Sequence, residues 1–146
     1  MKIIAKKEHN KYSYYEDEHL IYTITSMKEK GLLKVVLNNQ LNKPIYEAFQ
    51  LVSWKDRFRK NKHDYAIYED ERKICELIHM KDGYEAEYFA TMLRFEDCLE
   101  NGVKYIHVKH KNKEVAKYSN QDDLMIEIKN PNDHAIHIML SFLLNL

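Results

Sequence analysis

The chain ends in the stretch His134-Ala-Ile-His-Ile-Met-Leu-Ser-Phe-Leu-Leu-Asn-Leu146, and this stretch decides the fold. At about 100° per residue, its apolar side chains cover most of the circumference of a helix. The polar members recur every three or four residues and share one narrow stripe: His134, His137, Ser141 and Asn145. A helix with so little polar surface must be enclosed. We expect it to begin after Asp133, a residue type that caps helix N-termini.

Two alternatives compete with enclosure in the chain's own domain: a membrane anchor and a helix donated to a partner chain. An anchor needs about 20 apolar residues to cross roughly 30 Å of hydrocarbon, whereas a helix of this length reaches only about 20 Å. No transmembrane segment is therefore expected. Because the preceding sequence is typical of short strands and turns, we prefer a β-structure wrapped around its own C-terminal helix.

The composition predicts a single domain over residues 1–146 and excludes several classes of function. The 23 basic and 23 acidic residues balance, which argues against a nucleic-acid partner. Three glycines are too few for a glycine-rich phosphate loop or a dinucleotide site, and we expect no cofactor. The N-terminus lacks a secretory signal, so we expect a cytoplasmic protein with reduced cysteines. Abundant Asn, Ile and Tyr favour a bacterial source.

Several segments repeat a plan of strand, polar turn and strand, with the Tyr, Ile and Val enrichment that is typical of β-hairpins. The predicted strands are Leu20–Met27, Leu33–Leu37, Pro44–Val52, Tyr65–Tyr68, Lys73–Ile78, Tyr105–Val108, Glu114–Tyr118 and Leu124–Lys129. Ile45, Ile74 and Val115 occupy equivalent positions just after three of the turns. The repeat predicts an antiparallel meander.

The segment Tyr84–Glu100 permits two interpretations. Tyr88, Met92, Phe95 and Leu99 would share one face of a helix that ends at Asn101-Gly102. The same residues also fit one or two irregular strands, because tertiary context often overrides helix propensity.

The order of the last elements resembles the tubby C-terminal-like superfamily, especially its small bacterial and LURP-one-related members. The likeness lies in Lys113-Glu-Val-Ala-Lys-Tyr-Ser119, then Leu124-Met-Ile-Glu-Ile128, then Asp133 and the apolar helix. That family has a turn, a "V-A-K-x-S"-like strand, a "V-E-I" strand and an apolar helix in this order. The chain departs from the family in its short connection between Ser119 and Leu124. It also lacks the "R-D-T"-type motif, to which Lys55-Asp-Arg57 is the nearest match.

This resemblance implies a closed antiparallel β-barrel around a buried hydrophobic C-terminal helix. It also implies a phosphoinositide-binding module that uses basic residues on the barrel wall. Such a protein would be a non-catalytic binding or scaffold module that works at the surface of a membrane. A barrel that binds a protein partner, or an enzyme of another type, is the alternative function.

The segment Trp54-Lys-Asp-Arg-Phe-Arg-Lys-Asn-Lys-His63 concentrates five cations against one anion. In a strand, Lys55, Arg57 and Arg59 would share one face, where three cations can bind phosphate groups. Trp54 would lie nearby and suits a lipid interface. These four residues are the predicted contacts for anionic membrane lipid. The structural alternative is a solvated charged strand whose Trp54 and Phe58 face the core.

No metal site and no catalytic site are predicted from spacing. His134 and His137 share a side of the helix, but zinc needs at least three protein ligands. We interpret them as part of a buried polar stripe that is hydrogen-bonded to strand carbonyls or water. The serines lack a nucleophile-elbow context, and the carboxylates lie in turns, so we do not expect an enzyme.

Overall fold

A computed structural model of the chain describes residues 1–52, 62–120 and 124–145. Within these ranges, twelve antiparallel strands form a closed barrel in which consecutive strands pair and β1 pairs with β12. The strands are β1 (Lys2–Glu8), β2 (Lys11–Glu16), β3 (His19–Glu29), β4 (Leu32–Asn39), β5 (Pro44–Leu51), β6 (Asp64–Glu69), β7 (Arg72–Met80), β8 (Gly83–Tyr88), β9 (Thr91–Glu100), β10 (Val103–His110), β11 (Lys113–Asn120) and β12 (Leu124–Ile128). The predicted mainly β, closed antiparallel barrel is confirmed, and closure removes the unpaired strand edges.

The C-terminal helix α1 spans His134–Leu144 and follows a 3-10 turn over Pro131–Asp133. Asp133 lies at the N-cap position, but its side chain makes no capping hydrogen bond, so its predicted role was wrong. The Asn130 side chain instead accepts from the backbone N–H of Asn132 and caps the 3-10 turn. The capping function therefore lies one turn earlier than expected.

The side chains of α1 belong to the same hydrophobic core as those of the strands. Ile136, Ile138, Met139 and Leu140 are at most 1% exposed, although they point to different sides of the helix. Barrels with more strands are wider, so strand side chains alone leave space at the axis. We attribute the burial of these four residues to the filling of that space. Within the described residues, no helix is long and apolar enough to cross a membrane.

Successive turns of a meander alternate between the two ends of the barrel. We name each end after one of its connections, the β5–β6 end and the β6–β7 end. The β5–β6 end carries the β1–β2, β3–β4, β5–β6, β7–β8, β9–β10 and β11–β12 connections. The β6–β7 end carries the turns between them and the N-terminus of α1. The β9–β10 turn at the β5–β6 end is an example of a tight connection. Its two residues, Asn101 and Gly102, have the positive φ values of a two-residue type I′ turn, 52° and 80°.

The repeated Ile/Val positions are β-bulges. Four strand pairs shift register just after a turn at the β6–β7 end, and the extra residues are Ile21, Ile45, Ile74 and Val115. All four pack in or against the core. A bulge increases the local twist and bends its strand. The spacing seen in the sequence thus reflects a recurring device that shapes one end of the barrel, and Ile21 is a fourth member.

The structure defines the secondary structure of two parts of the chain that the sequence left undecided. The segment with two interpretations, Tyr84–Glu100, forms the antiparallel strands β8 and β9 rather than a helix. An additional hairpin precedes the predicted strands and consists of β1 and β2. Ile3, Ala5 and Tyr14 of this hairpin are buried, so it completes the barrel wall.

Candidate functional site

The predicted lipid contacts Trp54, Lys55, Arg57 and Arg59 lie outside the described residues. Their position in the topology is nevertheless bounded, because β5 ends at Leu51 and β6 begins at Asp64. The connection between these strands belongs to the β5–β6 end. The described residues around it therefore form the candidate site.

Four exposed lysines flank this connection: Lys28, Lys30, Lys62 and Lys81. Lys28 and Lys30 adjoin the β3–β4 turn, and Lys81 lies in the β7–β8 turn. These two turns are the neighbours of the β5–β6 connection at the same end of the barrel. We call the four lysines the basic rim. Sequence analysis missed it, although the alternation of turns between two ends would have grouped these residues.

The cations of the basic rim differ from those on the barrel wall. On the wall, Lys109 Nζ lies 2.8 Å from Glu96 Oε2, and this hydrogen bond raises the pKa of Lys109. Lys117 Nζ similarly lies 3.1 Å from a carboxylate oxygen of Glu100. Among the described residues, no lysine of the basic rim forms an ion pair. No described carboxylate therefore neutralises them.

Exposed apolar side chains accompany the basic rim. Val52 is 79% exposed at the start of the connection, while Met27 and Met80 are 48% and 42% exposed. Met27 precedes Lys28, and Met80 precedes Lys81. Side chains of this kind can enter the boundary between lipid headgroups and acyl chains while adjacent lysines contact the headgroups.

The β6–β7 end has a different charge distribution. Two of its turns contribute six acidic residues: Glu16, Asp17, Glu18, Glu69, Asp70 and Glu71. Lysines also occur there, at Lys43, Lys111 and Lys113. Acidic residues also adjoin the basic rim, at Glu29 and Asp82, but no run of three acidic residues like Glu16–Glu18 or Glu69–Glu71 occurs in the described turns of that end.

A buried acid–histidine pair holds the first residue of β6 to the end of β7. Asp64 Oδ1 accepts a hydrogen bond from the backbone N–H of His79 at 2.8 Å and lies 2.5 Å from its Nδ1. His79 is fully buried and Asp64 is 5% exposed. Since both residues adjoin the β5–β6 end, the pair fixes β6 at the point where the β5–β6 connection enters it.

The polar stripe of α1 is buried in part, but its partners differ from those expected. His134 Nδ1 donates to Pro131 O at 2.6 Å, and its Nε2 lies 2.6 Å from the Tyr22 hydroxyl. The Tyr118 hydroxyl lies 2.7 Å from Nδ1 of His137, and burial lowers the pKa of His137 to about 4. The expected strand carbonyls are thus replaced by tyrosine hydroxyls.

The two remaining members of the stripe bond within the helix. Ser141 Oγ donates to Ile138 O at 2.8 Å, and Asn145 Nδ2 donates to Ser141 O at 2.6 Å. The first contact satisfies the buried hydroxyl of Ser141, and the second attaches the exposed Asn145 to the last turn of the helix.

A cavity of about 570 Å³ lies where α1 ends, also at the β5–β6 end. Its lining includes Cys98, Lys104, Tyr105, Leu144 and Asn145. It is bounded by β9 to β12, whereas the basic rim belongs to the connections between β3 and β8. Cys98 and the buried Cys75 are both free thiols.

Comparison of the chain with models of protein families, with curated proteins and with solved structures finds no match. The functional assignment therefore depends on the chain's own residues.

Proposed function

We propose that the chain is a non-catalytic, cytoplasmic binding module that attaches peripherally to anionic membrane surfaces through its β5–β6 end. The observation that carries this proposal is the basic rim, whose lysines form no ion pair with any described residue and lie beside exposed apolar side chains. Lys55, Arg57 and Arg59 extend the same charge along the sequence, and Trp54 adds a side chain suited to a lipid interface.

The likeness to tubby-like proteins supports the same function. Its implied architecture, a closed antiparallel barrel around a C-terminal helix, agrees with a barrel whose core includes the side chains of α1. In the proposed arrangement, the barrel is a rigid support that holds several turns in one plane. Headgroup phosphates would then contact lysines from different turns at once.

Binding to vesicles tests the proposal. The full chain should sediment with phosphatidylcholine vesicles that contain phosphatidylserine or a phosphoinositide, and not with pure phosphatidylcholine vesicles. Binding should weaken with salt, because the Debye length falls from about 10 Å at 0.1 M to about 3 Å at 1 M. Trp54 is the sole tryptophan, so its fluorescence reports directly on insertion at the β5–β6 connection.

Replacing Lys55, Arg57 and Arg59 together by Gln should weaken vesicle binding about a hundredfold, since each cation near the surface contributes about 1 kcal/mol. The melting temperature should stay nearly unchanged. Equal binding to neutral vesicles, or absence of binding at low salt, would contradict the proposal and favour a protein partner.

A further inference from the structure

The outer wall of the barrel brings together three residues that are typical zinc ligands. Cys98 and Glu100 lie on β9, and His107 lies on the neighbouring strand β10. Their ligand atoms Sγ, Oε1 and Nε2 all lie within 4.8 Å of one another. The cluster depends on the pairing of the two strands, in which Cys98 is opposite Tyr105 and Glu96 is opposite His107.

The separations within the cluster agree with those in a zinc centre. Glu100 Oε1 lies 3.2 Å from His107 Nε2 and 3.9 Å from Cys98 Sγ. With bonds of about 2.0–2.3 Å, the ligands of a tetrahedral zinc ion are separated by roughly 3.3–3.7 Å. The ligand atoms of Cys98 and His107 lie within 4.8 Å of each other, so these two side chains would draw closer together to complete the coordination.

The surroundings orient two of the three ligands. His107 Nδ1 lies 2.5 Å from Glu114 Oε1, and a carboxylate beside the far nitrogen of a histidine is the usual support for a zinc ligand. His107 Nε2 is buried, and Glu100 Oε1 lies 3.2 Å from it. That nitrogen therefore faces the other members of the cluster.

The two carboxylate oxygens of Glu100 have different partners. Its Oε2 accepts a hydrogen bond from Lys117 Nζ at 3.1 Å. Its Oε1 faces Cys98 and His107. Lys117 thus holds the carboxylate in the orientation in which one oxygen is directed at the cluster.

We propose that Cys98, Glu100 and His107 bind a zinc ion on the outer wall of the barrel, with Glu114 as the residue that positions His107. Sulfur, nitrogen and carboxylate oxygen together suit zinc better than the hard cations magnesium and calcium, which prefer oxygen ligands only. Three protein ligands leave a fourth position for water or a small molecule. Cys98 also lines the 570 Å³ cavity, which adjoins the site.

The test is titration of the full-length, chelator-treated chain with zinc in competition with a chromophoric chelator. We expect one zinc ion per chain. Cys98→Ser and His107→Gln should each weaken binding by more than about a hundredfold, and Glu114→Gln by about tenfold. The matched control is His110→Gln on the same strand, which should leave the affinity within about twofold.

Two further measurements on the unaltered chain keep the test independent of variant folding. Cobalt bound in place of zinc should give thiolate-to-cobalt charge-transfer absorption, and zinc should slow the alkylation of Cys98. Absence of stoichiometric binding, or binding that Cys98→Ser and His107→Gln leave unchanged, would overturn the proposal.

Discussion

The two ends of the barrel are built differently. At the β6–β7 end, four bulges insert Ile21, Ile45, Ile74 and Val115 into or against the core. At the β5–β6 end, the described strand pairs keep a regular register, and a cavity lies beside the end of α1. The bulged end closes the core with apolar bulge residues and carries the acidic turns, whereas the other end carries the basic rim. Exposed apolar side chains occur at both ends, among them Leu41 and Phe89 at the bulged end. We infer that stability is concentrated at the first end and binding at the second.

The largest expected effect comes from the helix that joins the two ends. Leu140 is fully buried, so Leu140→Asp places an unpaired charge in the core and should cost more than about 4 kcal/mol. Both ends should lose their structure together, as measured by circular dichroism and amide exchange.

Leu140→Met is the control, since a swap of similar volume costs less than about 1.5 kcal/mol. A Leu140→Asp protein with a cooperative, near-normal melting transition would contradict the enclosure of α1.

Strand β7 allows the two ends to be compared within one element. Ile74 is a bulge residue at the β6–β7 end and is 3% exposed, whereas Met80 at the other end is 42% exposed. Ile74→Ala should lower the free energy of unfolding by about 2–4 kcal/mol, and Met80→Ala by less than about 0.5. Urea unfolding measures both, and similar losses would remove the proposed difference in stability between the ends.

The pH dependence of the free energy of unfolding tests the burial of His137 in the core between the two ends. Burial lowers the pKa of His137 from 6.5 to about 4, so the unfolded chain binds more protons between these values. The free energy of unfolding should therefore fall as the pH decreases from 6.5 to 4, by about 3 kcal/mol from this residue.

In His137→Gln this contribution should disappear and the pH dependence should be flatter. The exposed His19, replaced by Gln, is the control and should keep the dependence of the unaltered chain. Parallel pH curves for all three proteins would refute the buried, neutral state of His137.

Local patterns predicted much of the fold. The apolar run from Ala135 to Leu143 and the alternating hairpins lie within short windows, where periodicity reflects burial directly. The first hairpin was missed because lysines surround its inward-facing Ile3 and Ala5. The segment containing Phe95 had helical spacing, but pairing with β8 and β10 decided in favour of a strand.

The candidate sites were less predictable because they depend on residues that are distant in sequence. Lys28 and Lys81 come to the same end only through the order of the strands. Cys98 and His107 meet only through the register of β9 and β10. Neither pairing leaves a signal in spacing along the chain. The role of Lys55, Arg57 and Arg59 in contacting anionic lipid stays a prediction that binding experiments must test.

The most direct test of binding through the β5–β6 end removes three positive charges from one end or from the other. One variant replaces Lys28, Lys30 and Lys81 by Gln, and its matched control replaces Lys43, Lys111 and Lys113 at the β6–β7 end. All six lysines are exposed, so both proteins should melt like the unaltered chain. Partitioning onto phosphatidylserine-containing vesicles is then measured for both at low salt. The account predicts a loss of about a hundredfold for the first variant and less than about threefold for the control. Equal losses, or a larger loss in the control, would contradict it.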